Sequence, residues 1–244
     1  MLRKYLNFRT IRQIIFIIKI FFLQHHRDNI SKLSKNGFIS INDIFKKKYS
    51  KSLLIKYNKK LKNNWNFVSK YKILDSSDLN EILNLLKEKE IIKLVKAYLG
   101  QNIICYDNVV LYLGNKISKK DSWQPHHDSK ENRIKIYFWL SENNKDNQPI
   151  FYQIGSHKQL KFWNKYRETR FEKYSKINKL GKIIGKQGGV SIFDTHGLHS
   201  GYKLSKIPRV SIVLTFESVG MLKRINSQTK FGKKEISRLN AFKV

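Results

Sequence analysis

The sequence contains a short group of residues suited to holding a metal ion. His126-His127-Asp128 places a histidine and an aspartate two residues apart. On a β-strand alternate side chains share a face, so His126 and Asp128 could point into one cavity while His127 points away. Two histidines and a carboxylate on one side of the ion are the ligands of non-haem Fe(II) oxygenases. His-x-Asp also occurs by chance in surface turns, so the tripeptide alone leaves both interpretations open.

A second segment, residues 193–201 (FDTHGLHSG), contains two candidates for a third ligand, His196 and His199. Arg209 follows His199 after ten residues, and Ser211 shares its strand face. An arginine beside a hydroxyl can bind the distal carboxylate of a buried dicarboxylate through charge-assisted, bidentate hydrogen bonds. The two segments together therefore predict a metal centre beside a dicarboxylate site.

These motifs resemble the phytanoyl-CoA dioxygenase-like family of Fe(II)- and 2-oxoglutarate-dependent oxygenases. The resemblance extends over about residues 37–218 and is specific only as a combination. The chain departs from the family pattern where Pro125 replaces a frequent tryptophan, Ile154 a frequent proline, and His196 a common arginine. The motifs that carry the resemblance are His126-x-Asp128, Gly155-Ser156-His157, Phe193-Asp194-Thr195, Gly197-Leu198-His199 and Arg209-x-Ser211.

The resemblance implies both a fold and a set of site residues. The fold is mainly β with flanking helices (α+β): a double-stranded β-helix (jelly-roll, cupin-like) core with a helical N-terminal region. Tyrosine and tryptophan in strands are often ordinary core residues, and this is the alternative for Tyr112 and Trp139. The implied ligands of Fe(II) are His126, Asp128 and His199, and the implied 2-oxoglutarate-binding residues are Arg209, Ser211, Tyr112 and Trp139.

Two choices within this set depend on the family pattern. The pattern and the ten-residue interval before Arg209 favour His199 over His196 as the third ligand. Halogenating relatives lack the metal carboxylate, so the presence of Asp128 favours hydroxylation. His157 could contact a substrate or serve as a structural contact of its loop.

The expected function is a dioxygenase that uses O2 and 2-oxoglutarate and releases succinate and CO2. Its substrate would be a small molecule, lipid-like or a sugar intermediate, with a C–H bond to hydroxylate. The alternative is a basic nucleic-acid or membrane-surface binding protein whose jelly-roll scaffold carries a vestigial metal site. The complete set of ligands favours the enzyme, and Arg209 and Ser211 disfavour a cupin-type metalloenzyme that does not use 2-oxoglutarate.

The elements that must position these residues change character after Gly100. Residues 1–100 are mostly helical in pattern, with a short strand at 37–41 and a helix that Asp78 would cap and Gly100 would end. The later half has short β-branched and aromatic runs typical of an antiparallel sandwich or barrel. We predict an N-terminal extension over 1–36 and one oxygenase domain over 37–244, with its β core at about 101–218. The predicted strands are 103–106, 109–113, 134–140, 150–154, 190–193 and 210–216, with a helical or irregular segment at 160–175.

Composition limits the alternatives. The 244 residues suffice for one domain, and the single cysteine, Cys105, excludes an intrachain disulfide and a cysteine-rich zinc site. Lysine and arginine number 49 against 18 acidic residues, a formal charge of +31. This charge indicates either an anionic partner or compositional drift towards Lys, Asn and Ile. Arginine is scarce and nucleic-acid motifs are absent, so we expect no specific nucleic acid and an anionic small molecule at most.

The apolar run at 14–23 is interrupted by Lys19 and is shorter than the roughly 20 residues a membrane span needs. An amphipathic helix fits it better, either packed on the domain or resting on a membrane surface. We therefore expect a cytoplasmic protein, with peripheral membrane contact as the alternative.

Overall fold

The protein was analysed as a computed structural model that describes residues 27–58, 67, 69–114, 125–128, 133–144, 149–158, 179–201 and 207–218. The helices are α1 (Arg27–Asn36), α2 (Lys47–Asn58), α3 (Ser76–Glu88) and α4 (Ile91–Leu99). The strands are β1 (Phe38–Ile41), β2 (Ser69–Ile73), β3 (Ile103–Leu113), β4 (Arg133–Trp139), β5 (Ile150–Gln153), β6 (Leu180–Ile183), β7 (Val190–Asp194), β8 (His199–Ser200) and β9 (Arg209–Ser218).

The strands form two antiparallel sheets. The larger sheet has the order β1-β7-β4-β9-β3-β2, and the smaller has the order β6-β5-β8. Sequence neighbours such as β3 and β4 are not adjacent in the sheet, because β9 lies between them. This mainly β architecture confirms the predicted double-stranded β-helix core with a helical N-terminal region.

Strand register decides which side chains face the space between the sheets. On β9, Arg209 is opposite Leu113 of β3, and Ser211 is opposite both Leu111 of β3 and Trp139 of β4. Because side chains alternate along a strand, Arg209 and Ser211 share one face, and the intervening residues point to the other. One face of the large sheet thus carries the polar candidates.

The opposite face of the large sheet packs against the helices. Ile212 and Leu214 of β9 belong to the same buried cluster as Leu33 of α1, Leu86 of α3 and Leu94 of α4. Burial of one such side chain stabilises the fold by about 1.5–3 kcal/mol. This helix-packed layer supports the sheet from behind.

The helical segment before Gly100 differs from its prediction. It is two helices, because Glu90 between α3 and α4 has a left-handed φ of 58°. Asp78 does not cap α3, which begins earlier at Ser76. Instead the Asp78 carboxylate accepts hydrogen bonds from Lys56 and from the Tyr57 hydroxyl, so a contact with α2 outweighs the local capping preference.

Three strands were not predicted, namely β2, β6 and β8. They are short and partly polar, so their pairing partners determine them more than their own sequence does. The predicted segment 160–175, residues 1–26 and Trp123 lie outside the described residues. α1 lies within the predicted extension, and its Ile30 and Leu33 are fully buried in the helix-side core. Within the described part of the chain, no helix has the length and hydropathy needed to span a membrane.

Candidate active site

A backbone bridge brings together the two segments that contain the candidate metal ligands. The N–H of His126 donates to the carbonyl of His199 at 2.9 Å, and the N–H of His199 donates to the carbonyl of His126 at 3.0 Å. The two imidazole centroids are 4.5 Å apart as a result. His126 lies in this isolated bridge and not in a longer strand, so the pairing with β8 is what fixes its position.

Asp128 completes the cluster. Its N–H donates to the carbonyl of Thr195 at 3.1 Å. Its Oδ1 lies 3.3 Å from Nε2 of His126 and 3.5 Å from Nε2 of His199. The three donor atoms lie within 4.8 Å of one another, a spacing that one metal ion could bridge. Two imidazoles and a carboxylate are a donor set suited to Fe(II).

The two remaining histidines of these segments face elsewhere. Nδ1 of His127 contacts the backbone carbonyl of His196, and burial lowers the pKa of His127 to about 4. The His196 and His127 rings are 5.9 Å apart. Among the described residues, the converging donors are those of His126, Asp128 and His199, and His196 is not one of them.

The ring orientation of His199 suits metal binding. Its Nδ1 lies 2.9 Å from the carbonyl of Gly197, so Nδ1 carries the proton and donates to that oxygen. Nε2 is then left with the lone pair that a metal needs. Burial lowers the pKa of His199, although the nearby carboxylate of Asp128 acts to raise it. The lowered pKa keeps the imidazole neutral at neutral pH.

Lys135 of β4 sets the charge state of Asp128. Burial by itself would raise the pKa of Asp128, but the neighbouring ammonium of Lys135 favours the ionised form, and the pKa lies well below its usual range. The Lys135 ammonium lies 2.5 Å from Oδ2 of Asp128. The carboxylate is therefore ionised and available as a ligand.

The turn before His199 is held by a buried aspartate. The side chain of Asp194 accepts from the N–H of His196 at 2.8 Å and from the hydroxyl of Tyr98 at 2.7 Å. The hydroxyl of Tyr152 donates to the Asp194 carbonyl at 2.8 Å. These bonds fix the residues that lead from β7 to His199.

The Gly155-Ser156-His157 motif supports the same turn. Oγ of Ser156 accepts from the N–H of Leu198 at 2.8 Å and donates to the carbonyl of Gln153 at 2.7 Å. Nε2 of His157 lies 2.9 Å from the carbonyl of Ser34 in α1. Of the two roles considered for His157, the structure shows the loop contact.

A cavity of about 160 Å³ opens beside the cluster. Besides the candidate ligands, its polar lining comprises Ser69 and Tyr71 of β2, Lys135 and Tyr137 of β4, and Arg209 of β9. Burial lowers the pKa of Arg209 to about 10, which still leaves the guanidinium charged at neutral pH. The apolar walls are Val109, Leu111, Leu113, Ile150, Phe193 and Val213.

Ser211 and Trp139 lie next to Arg209 on the same side of the large sheet. Ser211 is fully buried, and its hydroxyl has no hydrogen-bond partner among the described residues. The Trp139 ring centroid is 5.5 Å from Cζ of Arg209, and its Nε1 donates to Oγ of Ser191 at 2.9 Å. Trp139 therefore packs against the arginine and does not itself line the cavity.

The position of Tyr112 does not agree with its predicted role in binding 2-oxoglutarate. Its side chain lies on the opposite face of β3, in the helix-side core, and its hydroxyl donates to the carbonyl of Tyr57 at 2.8 Å. The cavity face of β3 instead carries Leu111 and Leu113, because alternate residues of a strand share a face. Register, which a single sequence does not specify, decides between the two faces.

Four polar cavity residues were missed: Ser69 and Tyr71 of β2, a strand that was not predicted, and Lys135 and Tyr137 of β4. Lys135 and Tyr137 precede Trp139 at intervals of two residues. Strand alternation from Trp139 could therefore have identified them. Their polar side chains within an otherwise apolar strand were the available signal.

The fold is shared with solved structures whose titles name 2-oxoglutarate or alpha-ketoglutarate. One, entitled epimerase SnoN in complex with Fe3+, alpha-ketoglutarate and nogalamycin RO, is 14% identical, with 78% of this chain and 82% of that chain covered and a TM-score of 0.57. HygX from Streptomyces hygroscopicus, with nickel and 2-oxoglutarate, is 12% identical, with 79% and 87% covered and a TM-score of 0.58. EctD from S. alaskensis, with 2-oxoglutarate and 5-hydroxyectoine, is 18% identical, with 79% and 76% covered and a TM-score of 0.58.

No protein-family model matches the sequence, and no curated protein matches it. At identities of 12–18%, the likeness to the solved structures establishes the fold.

Proposed function

We propose that this protein is an Fe(II)- and 2-oxoglutarate-dependent dioxygenase of the phytanoyl-CoA dioxygenase-like family. It would hydroxylate a C–H bond of a small molecule and release succinate and CO2. The observation that carries the proposal is the convergence of His126, Asp128 and His199 beside a cavity that also contains Arg209. The solved structures of the same fold whose titles include iron or nickel with 2-oxoglutarate support it.

In this proposal, the chain holds the metal through neutral imidazoles and one ionised carboxylate. His126, Asp128 and His199 bind from one side, which leaves the cavity side for other ligands. When bound, Fe(II) supplies the activation of dioxygen that protein side chains cannot perform.

Arg209 and Ser211 would bind the distal carboxylate of 2-oxoglutarate. The guanidinium is buried and charged, and the serine hydroxyl on the same strand face has hydrogen-bonding capacity to spare. Arginine binds carboxylates in a bidentate manner that lysine cannot reproduce. The apolar side chains of Val109, Leu111 and Phe193 would keep water from the site.

The substrate class is a small molecule, in the lipid-like or sugar-intermediate range. The limited cavity volume supports this, and so do the small molecules named in the titles of two solved structures, nogalamycin RO and 5-hydroxyectoine. The charge of +31 supports an anionic substrate. The location that we propose is cytoplasmic, with peripheral membrane contact as the alternative.

An anaerobic titration of the apo-protein with Fe(II) and 2-oxoglutarate tests the proposal. We expect a visible metal-to-ligand charge-transfer band in the wild type. His199→Ala should lose the band, because one of three ligands is removed. Arg209→Lys should retain it but need about tenfold or more 2-oxoglutarate, because the bidentate contact is lost.

Arg133→Lys is the matched control for Arg209→Lys. Arg133 is also an arginine at the start of a strand, and its Nε pairs with the carboxylate of Glu217. Its substitution should leave the 2-oxoglutarate requirement unchanged. If folded, iron-loaded wild type shows no band, the cosubstrate assignment is wrong.

A further inference from the structure

Lys135 lies within the candidate metal site although it is not one of the metal-binding residue types. In the strand register it is opposite Phe193 of β7 and Thr215 of β9, near the centre of the large sheet. Its side chain is 22% exposed and reaches into the cavity. A lysine at such a place within an apolar strand needs a partner, and Asp128 is that partner.

The two oxygens of Asp128 have different neighbours. Oδ1 faces both imidazoles, at 3.3 Å from His126 and 3.5 Å from His199. Oδ2 faces Nζ of Lys135 at 2.5 Å. One oxygen of the carboxylate therefore faces the candidate metal position, and the other contacts the ammonium group.

Stability alone does not account for this ion pair. Taking a carboxylate and an ammonium out of water costs several kcal/mol per ion, and the attraction between them often does no more than offset that cost. Replacing both charges by apolar residues of similar size is often neutral or stabilising in a protein interior. The ion pair therefore points to a role in the geometry of the carboxylate.

We propose that Lys135 is a positioning residue that binds Oδ2 of Asp128 and so restricts Asp128 to Oδ1 as the metal donor. A carboxylate that bound through both oxygens would occupy one more position on the metal, and that position would be lost to the cosubstrate. The positive charge of Lys135 also favours a dianionic ligand in the cavity. This inference rests on the proposed function.

The test compares Lys135→Met with Lys135→Arg and with Lys182→Met. Lys182 is an exposed lysine of β6, and its substitution controls for loss of a positive charge in general. Each protein is titrated with Co(II), followed by its visible absorption, and the Co(II)-loaded protein is then titrated with 2-oxoglutarate.

We expect Lys135→Met to bind Co(II) more tightly than the wild type, because a cation near the metal is removed and a second carboxylate oxygen becomes available. The same variant should bind 2-oxoglutarate more weakly by about tenfold or more, because a second oxygen of Asp128 would compete for a position on the metal and a positive charge is lost from the cavity. Lys135→Arg, which keeps a donor and a charge, and Lys182→Met should both match the wild type. If Lys135→Met does not fold, Lys135→Ala replaces it under the same criteria.

Two outcomes overturn the inference: unchanged 2-oxoglutarate affinity in Lys135→Met, or a parallel loss of Co(II) and 2-oxoglutarate affinity, which indicates a merely structural role. If the wild type itself binds Co(II) but not 2-oxoglutarate, the proposed function fails instead. In that case the Co(II) titrations still decide: tighter Co(II) binding by Lys135→Met than by Lys182→Met supports the contact with Asp128, and equal binding overturns it.

Discussion

Ser211 is buried on the cavity face of β9, two residues from Arg209, with a hydroxyl that has no hydrogen-bond partner among the described residues. A buried polar group without a partner costs about 1–3 kcal/mol, and folded proteins rarely keep one without a use. A ligand carboxylate in the cavity would provide the missing acceptor. The same residue thus costs stability in the free protein and is available for binding.

We predict that Ser211→Ala leaves the free energy of unfolding unchanged or raises it by up to about 1 kcal/mol, because an unsatisfied hydroxyl is removed. The Kd for 2-oxoglutarate should rise about tenfold, the size expected for a hydrogen bond to a charged group. Urea unfolding and titration of the metal-loaded protein measure the two quantities.

Ser50→Ala is the control for this substitution. Ser50 is equally buried, but its Oγ donates to the carbonyl of Lys47 in α2, remote from the cavity. It should lose about 1 kcal/mol of stability and keep its 2-oxoglutarate affinity. A Ser211→Ala variant that behaves like Ser50→Ala would contradict the binding role.

At the scale of elements, the turn between β7 and β8 determines where His199 lies. Asp194 anchors one end of the turn through Tyr98 and Tyr152, and Ser156 holds Leu198 at the other. Gly197 lies between them, and its carbonyl accepts the hydrogen bond that orients the His199 ring. The packing of the core around this turn therefore determines the position of His199, a candidate metal ligand.

Gly197→Ala should disturb this turn. A Cβ at position 197 would overlap the hydroxyl and ring of Tyr152, which is fully buried and has no room to move aside. We expect a loss of about 1–3 kcal/mol of stability and weaker Co(II) binding, because His199 is displaced. Thermal unfolding and Co(II) titration measure these effects.

Gly100→Ala is the control that separates a loss of stability from weaker Co(II) binding. Gly100 has a φ of 108° at the end of α4, and an added Cβ would meet no atom within 4 Å. That variant should lose stability through backbone strain alone and bind Co(II) like the wild type. Unchanged Co(II) affinity in Gly197→Ala would show that the turn does not position His199.

At the scale of the whole molecule, the large sheet divides the core in two. Its helix-facing side packs with α1, α3 and α4 in one buried cluster, and its other side forms a smaller cluster around the cavity with Trp139 and Phe193. The first supports the fold, while the second shapes the candidate site. Substitutions on the two sides should consequently have different effects.

Leu94→Ala tests this division. Leu94 of α4 is fully buried in the helix-side cluster. The substitution should cost about 2–5 kcal/mol of stability, as for other buried leucines, while the folded fraction keeps its Co(II) affinity. Leu180→Ala on β6, where the side chain is half exposed, should change the stability far less. A matching loss of Co(II) affinity in folded Leu94→Ala would contradict the division.

The sequence by itself determined the local features. The β-branched runs predicted most strands, and the short-range spacing of His126 with Asp128 and of Arg209 with Ser211 predicted which residues could share a face. These features depend on neighbours one to four residues away, which the sequence shows directly. The double-stranded β-helix core, which the family resemblance implied, was confirmed, while the assignment of ligand roles stays a prediction for the titrations to test.

Only the tertiary structure decided which distant segments meet. It paired His126 with His199, turned Leu111 to the cavity and Tyr112 to the helices, and placed Lys135 against Asp128. It also replaced the expected cap at Asp78 by a contact with Tyr57. The outcomes in the sheet depend on strand order and register, and a shift of one residue would reverse every face. Register is set by the packing of segments far apart in the chain, so local periodicity cannot specify it.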